Sequence, residues 1–305
     1  MPNTKTNRKP KFRRVPPEKP LLLTARDLAI FDALERYRFL TSDLICRLIE
    51  GSADKIRRRL QLLFHDGYID RPDVQIKLYQ PTTNDPFIYA LGAKGAQALR
   101  NYGSTRAGIR GLTNRNKTSG RPYIQHSLAI AEVMTAFEKS AREQFIPQAR
   151  FISKGERSRT PHWQVTINAG TSPETLGVVP DHAFGLCGAD GKERYFFLEA
   201  DNGTMPVTRT GPRQTSLLQK VRAYLASNEA QIPQQMFSIP AFRVLFVLPS
   251  HQRLNTLLRT IEIETGGKGA RLFLLTTIEA FKSHNSLAVP LINGRGEPII
   301  LGKGE

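Results

Sequence analysis

Cysteine is almost absent: Cys46 and Cys187 are the only two in 305 residues. They are far apart and stand in apolar surroundings. The expectation is two reduced core residues of a cytosolic chain, not a disulfide framework. No stretch approaches about 18 consecutive apolar residues, so a helical membrane span is not expected. The first residues are basic and Pro-rich with no apolar run behind them, so a secretory signal is not expected either. The six histidines, His126, His162 and His182 among them, show no His-x-His or HExxH pairing, which removes the commonest zinc-hydrolase pattern. His126, near the start of a helix, reads as a structural histidine. "GGKGA" (Gly266 to Ala270) lacks the spacing and the Ser or Thr of a phosphate loop, and no G-x-S-x-G elbow or internal repeat is present.

Acid is the scarcer charge. There are 27 Asp+Glu against 44 Lys+Arg, a formal net charge of +17. A cationic surface of this size attracts polyanions, and nucleic acid is the first candidate. An anionic membrane is the weaker one, because no basic amphipathic helix lacks a core-facing role. Between Pro86 and Ala131 there is no acidic residue at all. Within that window "NYGSTRAGIRGLTNRNKTSGRPY" is rich in Gly, Ser, Thr and Asn. It reads as a basic linker over 104–122, with Arg106, Arg110, Arg115 and Lys117 able to touch phosphates. "KTNRKPKFRRVPPEK" (Lys5 to Lys19) has seven cations and one acid, broken by prolines. It reads as a disordered basic arm over 1–20.

What is present falls into two expected domains. From Leu23 to Pro72 the pattern predicts three short helices. Thr24 is the first N-cap with Asp27 at the capping-box position, and Thr41 is the second with Asp43 in the first turn. Ser52 or Asp54 begins the third. There Ile56, Leu60, Leu63 and Phe64 make one apolar face. Arg58 lies opposite it, Lys55 and Arg59 flank one side, Arg57 and Gln61 the other. Ile69 and Phe87 to Ala90 read as a hairpin with a long tip, and a short helix starts at Ala93. Three helices and a hairpin are the plan of a winged helix-turn-helix over 21–103. Lys55, Arg57, Arg58 and Gln61 would then face duplex DNA. The same plan also serves modules that hold a partner protein.

The rest reads as α/β with a mixed central sheet. Ile124 to Glu143 is an amphipathic helix. "HWQVTIN", "HAFGL" and "RYFFLEA" are strands, the last two joined across an Asp190-Gly191 turn. A helix over "TSLLQKVRAYLAS", a buried strand "FRVLFVLP", a helix and a strand "RLFLLTT" follow. The boundary is expected between Gly103 and Tyr123, the second domain over 123–284, and a tail without assigned role over 285–305.

Asp181 opens one strand and Glu199 closes its neighbour. Glu199 and Asp201, two apart, share a face if the strand continues. Carboxylates crowded in this way repel unless a cation joins them, and oxygen ligands suit Mg²⁺ or Mn²⁺. Asp181, Glu199 and Asp201 are therefore the expected metal ligands, with Glu156 a further candidate. The alternative is that they cap turns or pair with arginine.

Pro180-Asp181, an apolar hairpin and Glu199-x-Asp201 resemble the PD-(D/E)xK nuclease signature. The order helix, three strands, helix, strand over Ile124 to Leu248 is similar to that fold's core. The third position of the signature is normally Lys; here it is Asp201. Lys220 and Tyr224, four apart on the next helix, resemble the displaced-Lys and Gln-x-x-x-Tyr arrangements of some branches. The resemblance implies catalytic roles for Asp181, Glu199, Asp201, Lys220 and Tyr224, in metal-dependent nicking or cleavage of DNA. A tyrosine nucleophile, Tyr224 or Tyr123, is the alternative chemistry.

The stretches "FIYALGAKGAQAL", "QHSLAIAEV", "VVPDHAFGL", "YFFLEADNGT" and "LLQKVRAY", in this order, resemble the replication–relaxation family of plasmids and integrative elements. Its members join a winged helix to a restriction-endonuclease-like domain. That resemblance implies a role in plasmid replication, relaxation or mobilisation. The implied partners are DNA, other replication or relaxase proteins, and a second copy of the chain on a palindrome, although no heptad seam marks a dimer. The other reading is a DNA-binding replication or transcription factor that keeps the scaffold without catalysis.

Overall fold

The computed structural model describes residues 10–75, 86–103, 112–143, 150–151, 161–169, 172–187, 191–203, 216–282 and 288–301. The chain divides into two compact units, 1–131 and 132–305.

In the first unit, α1 (Ala25–Tyr37) starts from the expected capping box: the Thr24 side chain accepts from the Asp27 N–H, and the Asp27 carboxylate accepts from the Thr24 N–H at 2.7 Å. A strand β1 (Leu40–Thr41) leads into α2 (Ser42–Leu48), where the Thr41 hydroxyl accepts from the Leu44 N–H at 3.2 Å. Next, α3 (Ala53–Asp66) follows Ser52 and closes on Gly67 at φ 88, the left-handed position where glycine avoids a Cβ clash. Ile56, Leu60, Leu63 and Phe64 are all buried, as their spacing predicts. Strands β2 (Ile69–Asp70) and β3 (Ile88–Leu91) pair antiparallel, and β1 joins on the other side in the order β1-β3-β2. The expected hairpin thus forms; its tip lies outside the described residues. The third strand was not expected, because two residues are too short to show a period. Helix α4 (Ala93–Asn101) sits so close to the preceding chain that a Cβ on Gly95 would lie 2.3 Å from the Tyr68 carbonyl oxygen. Cys46, expected in the core, is half-buried instead, and its thiol lies 3.8 Å from the Ala53 carbonyl oxygen.

Two expectations for the basic segments are corrected. Part of the arm is held rather than free. Arg14 donates to the Phe64 and Ile69 carbonyls at 3.0 and 3.1 Å and pairs with Asp70, while the Val15 N–H donates to His65 Nδ1 at 3.1 Å. The end of α3 offers unpaired carbonyls, and a tally of charge along the chain does not count those acceptors. The linker is also partly helical: α5 (Leu112–Thr118) and the start of α6 (Arg121–Glu143) fall inside it. Asn116 on α5 is buried and accepts from Arg38 Nε and Nη2 at 3.3 and 3.0 Å, and the Asp73 N–H donates to the Lys117 carbonyl at 3.1 Å. Residues 104–111, which include Arg106 and Arg110, lie outside the described residues.

The second unit is built on a seven-stranded mixed sheet of order β12-β11-β10-β9-β8-β7-β4. Its strands are β4 (Arg150–Phe151), β7 (His182–Cys187), β8 (Glu193–Ala200), β9 (Phe242–Leu248), β10 (Ala270–Thr277), β11 (Pro290–Gly294) and β12 (Pro298–Ile300). β8, β9 and β10 run parallel, and the other neighbours pair antiparallel. Helix α7 (Leu217–Glu229) and the short α8 (Ile232–Phe237) connect β8 to β9, and α9 (His251–Glu264) connects β9 to β10. "HWQVTIN" is not in this sheet. It forms β5 (Trp163–Ala169), which pairs with β6 (Ser172–Val178) in a separate two-stranded sheet. Strand β6 contains Pro173 and Gly177, which hid it. The expected tail contributes β11 and β12. Their turn is closed by the Asn293 side-chain oxygen, which accepts from the Arg295 and Glu297 N–H groups at 2.9 and 3.0 Å.

Alternation along β8 sets the two faces of the sheet. Phe196 stacks on Phe184 with ring centroids 5.1 Å apart, and Phe137 of α6 packs behind Phe184. Phe197 points the other way, against Trp163, Tyr224 and Phe242. Glu199, two residues on, shares the Phe197 face and is carried under α7.

One buried ion pair organises the first unit. Asp27, 0% exposed, accepts from Arg59 Nε and Nη2 at 2.8 and 2.6 Å. Arg59, at the flank of α3, ties that helix to the start of α1. Burial pushes the Asp27 carboxyl up, but the hydrogen bonds from Arg59 and Thr24 outweigh it and hold the pKa below its ordinary value. A folded-state pKa below the unfolded one stabilises above the ordinary carboxylate value of about 3.9, and the gain is lost as pH falls through the folded value. Asp27→Asn is therefore expected to cost on the order of 2 kcal/mol at neutral pH. Urea melts followed by circular dichroism should show the gap to wild type closing as pH drops below about 4.

Candidate functional site

The expected acidic residues converge where β7 begins and β8 ends. Asp181 immediately precedes β7, and its backbone N–H donates to the Leu198 carbonyl at 3.0 Å. Its Oδ2 accepts from the Ala200 N–H at 2.7 Å. Asp181 thus spans Glu199, bonding to the residue on either side of it. Glu199 is 2% exposed. Its Oε2 accepts from Lys220 Nζ, and its Oε1 accepts from the Tyr224 hydroxyl at 2.5 Å. Lys220 and Tyr224 are one turn apart on α7, so one helix face delivers both donors. That helix is fixed by the Ser216 N-cap and by burial of Leu217, Val221 and Tyr224, while the Trp163 indole donates to Ser227 at 2.8 Å.

The electrostatics follow from burial. Removal from water pushes the Glu199 carboxyl up to about 7, with the Asp181 charge adding to the rise and Lys220 and Tyr224 opposing it. Burial lowers the Lys220 ammonium, but Glu199, Asp181 and Asp201 outweigh it and hold the pKa above its ordinary value. Burial, with Glu199 beside it, raises the Tyr224 hydroxyl well above its ordinary value. Tyr224 therefore stays protonated and serves as a donor to Glu199. The same setting is unfavourable for a nucleophilic tyrosinate.

Asp201 goes elsewhere. Its Oδ2 accepts from Arg253 Nε on the first turn of α9, and its Oδ1 accepts from the Gly203 N–H at 2.9 Å. No group of three or more His, Cys, Asp or Glu side chains among the described residues is arranged to hold a metal ion. The structure brings together Asp181, Glu199, Lys220 and Tyr224, and turns Asp201 to Arg253. Sequence reasoning did not single out Arg253; a Ser250 cap that places position 253 at the site end of α9 was the available signal. Glu156 lies outside the described residues.

On α3, Lys55, Arg57, Arg58 and Gln61 are all exposed. Arg57 pairs with Asp43 at 3.1 Å and approaches Asp54 at 3.7 Å. Lys55, Arg58 and Gln61 have no side-chain partner among the described residues. Arg115 and Lys117 are exposed on α5. Tyr123, the other tyrosine considered as a nucleophile, accepts a hydrogen bond from Arg38 Nη1.

The buried acid needs its cation. Lys220→Met leaves the Glu199 carboxylate uncompensated and is expected to destabilise by about 3 kcal/mol. Adding Glu199→Gln to that variant should recover a large part, because no charge is then left buried. A double-mutant cycle from denaturant melts reads the coupling directly.

No curated protein and no solved structure matches the chain. A family model described as Replication-relaxation matches residues 31–238, a span that takes in most of the first unit, β7, β8, the Asp181–Glu199 pair and the Lys220–Tyr224 face of α7. The chain belongs to the replication-relaxation family.

Proposed function

We propose that this is a DNA-binding protein of a plasmid or mobile element, acting in its replication, relaxation or mobilisation, with a divalent-metal-dependent site that nicks or cleaves DNA. The observation that carries it is the side-by-side placement of Asp181 and Glu199 on paired strands, with Lys220 bonded to Glu199. Two carboxylates are a donor set that Mg²⁺ or Mn²⁺ accepts, since such ions complete their shell with waters and phosphate oxygens. Bound by Asp181 and Glu199, the ion would supply an activated water and charge stabilisation at the scissile phosphate. Lys220 holds Glu199 in place and puts a positive charge where phosphate oxygens would approach, the part a lysine at position 201 would otherwise play. Tyr224 fixes the other Glu199 oxygen.

A nuclease-like reading of the second unit is supported by the order α6, β7, β8, α7, β9, with β7 and β8 antiparallel and β8 and β9 parallel. A winged-helix reading of the first is supported by the order α1, β1, α2, α3, β2, β3 and by the exposed cations of α3. Under it, Lys55, Arg58 and Gln61 face duplex DNA, and Arg115 and Lys117 add phosphate contacts. A second reading, a DNA-binding factor without catalysis, is favoured by one observation: both Glu199 oxygens are already engaged and Asp201 is committed to Arg253.

Supercoiled-plasmid nicking with Mg²⁺ and Mn²⁺ separates the two. Metal-dependent nicking by wild type, lost in Asp181→Asn and Glu199→Gln proteins that still melt cooperatively, is expected. Intact DNA binding without nicking, including on the element's own origin, gives the second reading. Arg58→Ala is expected to weaken duplex binding by roughly 1–3 kcal/mol where Arg58 reads a base edge; unchanged affinity in a fluorescence-anisotropy titration removes α3 as the recognition helix.

A further inference from the structure

Arg38, at the end of α1, has φ 64 without being glycine. A backbone in that region costs on the order of 1–3 kcal/mol and persists only where surrounding contacts impose it. A 2.7 Å hydrogen bond from the Phe39 N–H to the Tyr37 carbonyl closes the turn around Arg38, and the Arg38 side chain adds further contacts. The guanidinium bonds to the buried Asn116 of α5 at 3.3 and 3.0 Å, donates to the Tyr123 hydroxyl, and lies 4.9 Å from the centre of the Tyr123 ring. Tyr123 meets Phe39 edge-on, with ring centroids 6.1 Å apart, yet stays 41% exposed. A knot whose purpose was only to staple α5 and α6 to α1 gains nothing from an exposed ring.

The surroundings of this ring are cationic. Arg115 and Lys117 flank the inward-turned Asn116 and are exposed, as is Arg121, two residues before Tyr123 on α6. The stretch between Pro86 and Ala131 carries no acidic residue of its own, and Asp70 lies within electrostatic reach of Lys117. An exposed aromatic ring beside a guanidinium, on a segment that carries further exposed cations, matches the chemistry of an unpaired nucleotide strand. Bases stack on aromatic and guanidinium faces, and phosphates seek the flanking cations. A duplex keeps its bases stacked on one another and has little use for the ring.

We propose that Arg38, Tyr123 and the flanking Arg115, Lys117 and Arg121 form a binding site for single-stranded DNA, distinct from the duplex-facing residues of α3. It rests on the reading of the chain as a DNA-binding protein, and it supplies what replication or relaxation of a plasmid requires, a place for the strand exposed when the duplex opens.

Fluorescence anisotropy with a labelled oligothymidylate and a blunt duplex of equal length, on the full chain, tests it. Tyr123→Leu is expected to weaken oligothymidylate binding roughly tenfold and leave duplex affinity unchanged, while Tyr123→Phe retains binding. Arg115→Gln with Lys117→Gln, both on the surface, should lower the slope of log K against log salt for the single strand by about 1.4. Should Tyr123→Leu fail to fold, that surface double variant carries the test. Duplex binding with no oligothymidylate binding, or oligothymidylate binding that both sets of variants leave intact, overturns this site and leaves the DNA-binding reading standing. Failure of wild type to bind either probe overturns both.

Discussion

A carboxylate taken out of water must find its partners inside the protein, and Glu199 sets that condition for the second unit. Its two oxygens are met by Lys220 and Tyr224, both from α7. Satisfying the acid therefore fixes the rotation of α7 on the sheet, because only one helix face carries donors four residues apart. That rotation in turn delivers Leu217, Val221 and Tyr224 to the Phe197 and Trp163 side of the core. Packing and polar satisfaction agree on a single placement. Burial raises the energy of Glu199 as an anion, and Lys220 and Tyr224 are the groups that offset it.

The first unit solves the same problem with Asp27 and Arg59, and there the result is architectural. The capping box makes Asp27 part of the start of α1, and the guanidinium clamp makes α3 depend on that start. Arg14 and the chain around it repeat the logic at the far end of α3, filling carbonyl acceptors that a helix end leaves open. The outer face of α3 owes its freedom to these inner commitments. Arg59 is consumed inside, Arg57 is shared with Asp43 and Asp54, and Lys55 and Arg58 remain exposed.

Local signals were the legible ones. The Thr24 and Thr41 caps, the α3 apolar face, the alternation in β8 and the Lys220–Tyr224 spacing are each set within one turn or one strand. What sequence hid was pairing between distant segments. Strand β5 alternates well, yet alternation does not name the neighbour, and its neighbour is β6 and not the central sheet. β1 and β4 are two residues long and exist only because a longer strand passes beside them. Asp201 illustrates the same limit at the site. Two-residue spacing from Glu199 predicts a shared face only while the strand continues; β8 ends at Ala200, and Asp201 closes a turn onto Gly203 and meets Arg253.

A chain carrying +17 holds acids together at one point, and the distribution of its acids explains how. Asp27, Asp66, Asp70, Glu199 and Asp201 all have side chains withdrawn from solvent and answered by a specific cation. Each such pair removes a negative charge from the surface more completely than it removes a positive one, because the cation keeps part of its side chain in water while the carboxylate does not. Arg59 against Asp27 and Lys94 against Asp66 show the asymmetry plainly. Exposed cations are left on α3 and on α5, Lys55, Arg58, Arg115 and Lys117 among them. Burying acids for structure and leaving cations at the surface are thus one arrangement of charge. At Glu199 the neighbouring carboxylate is Asp181, which is half-exposed and bonds to the backbone on either side of it.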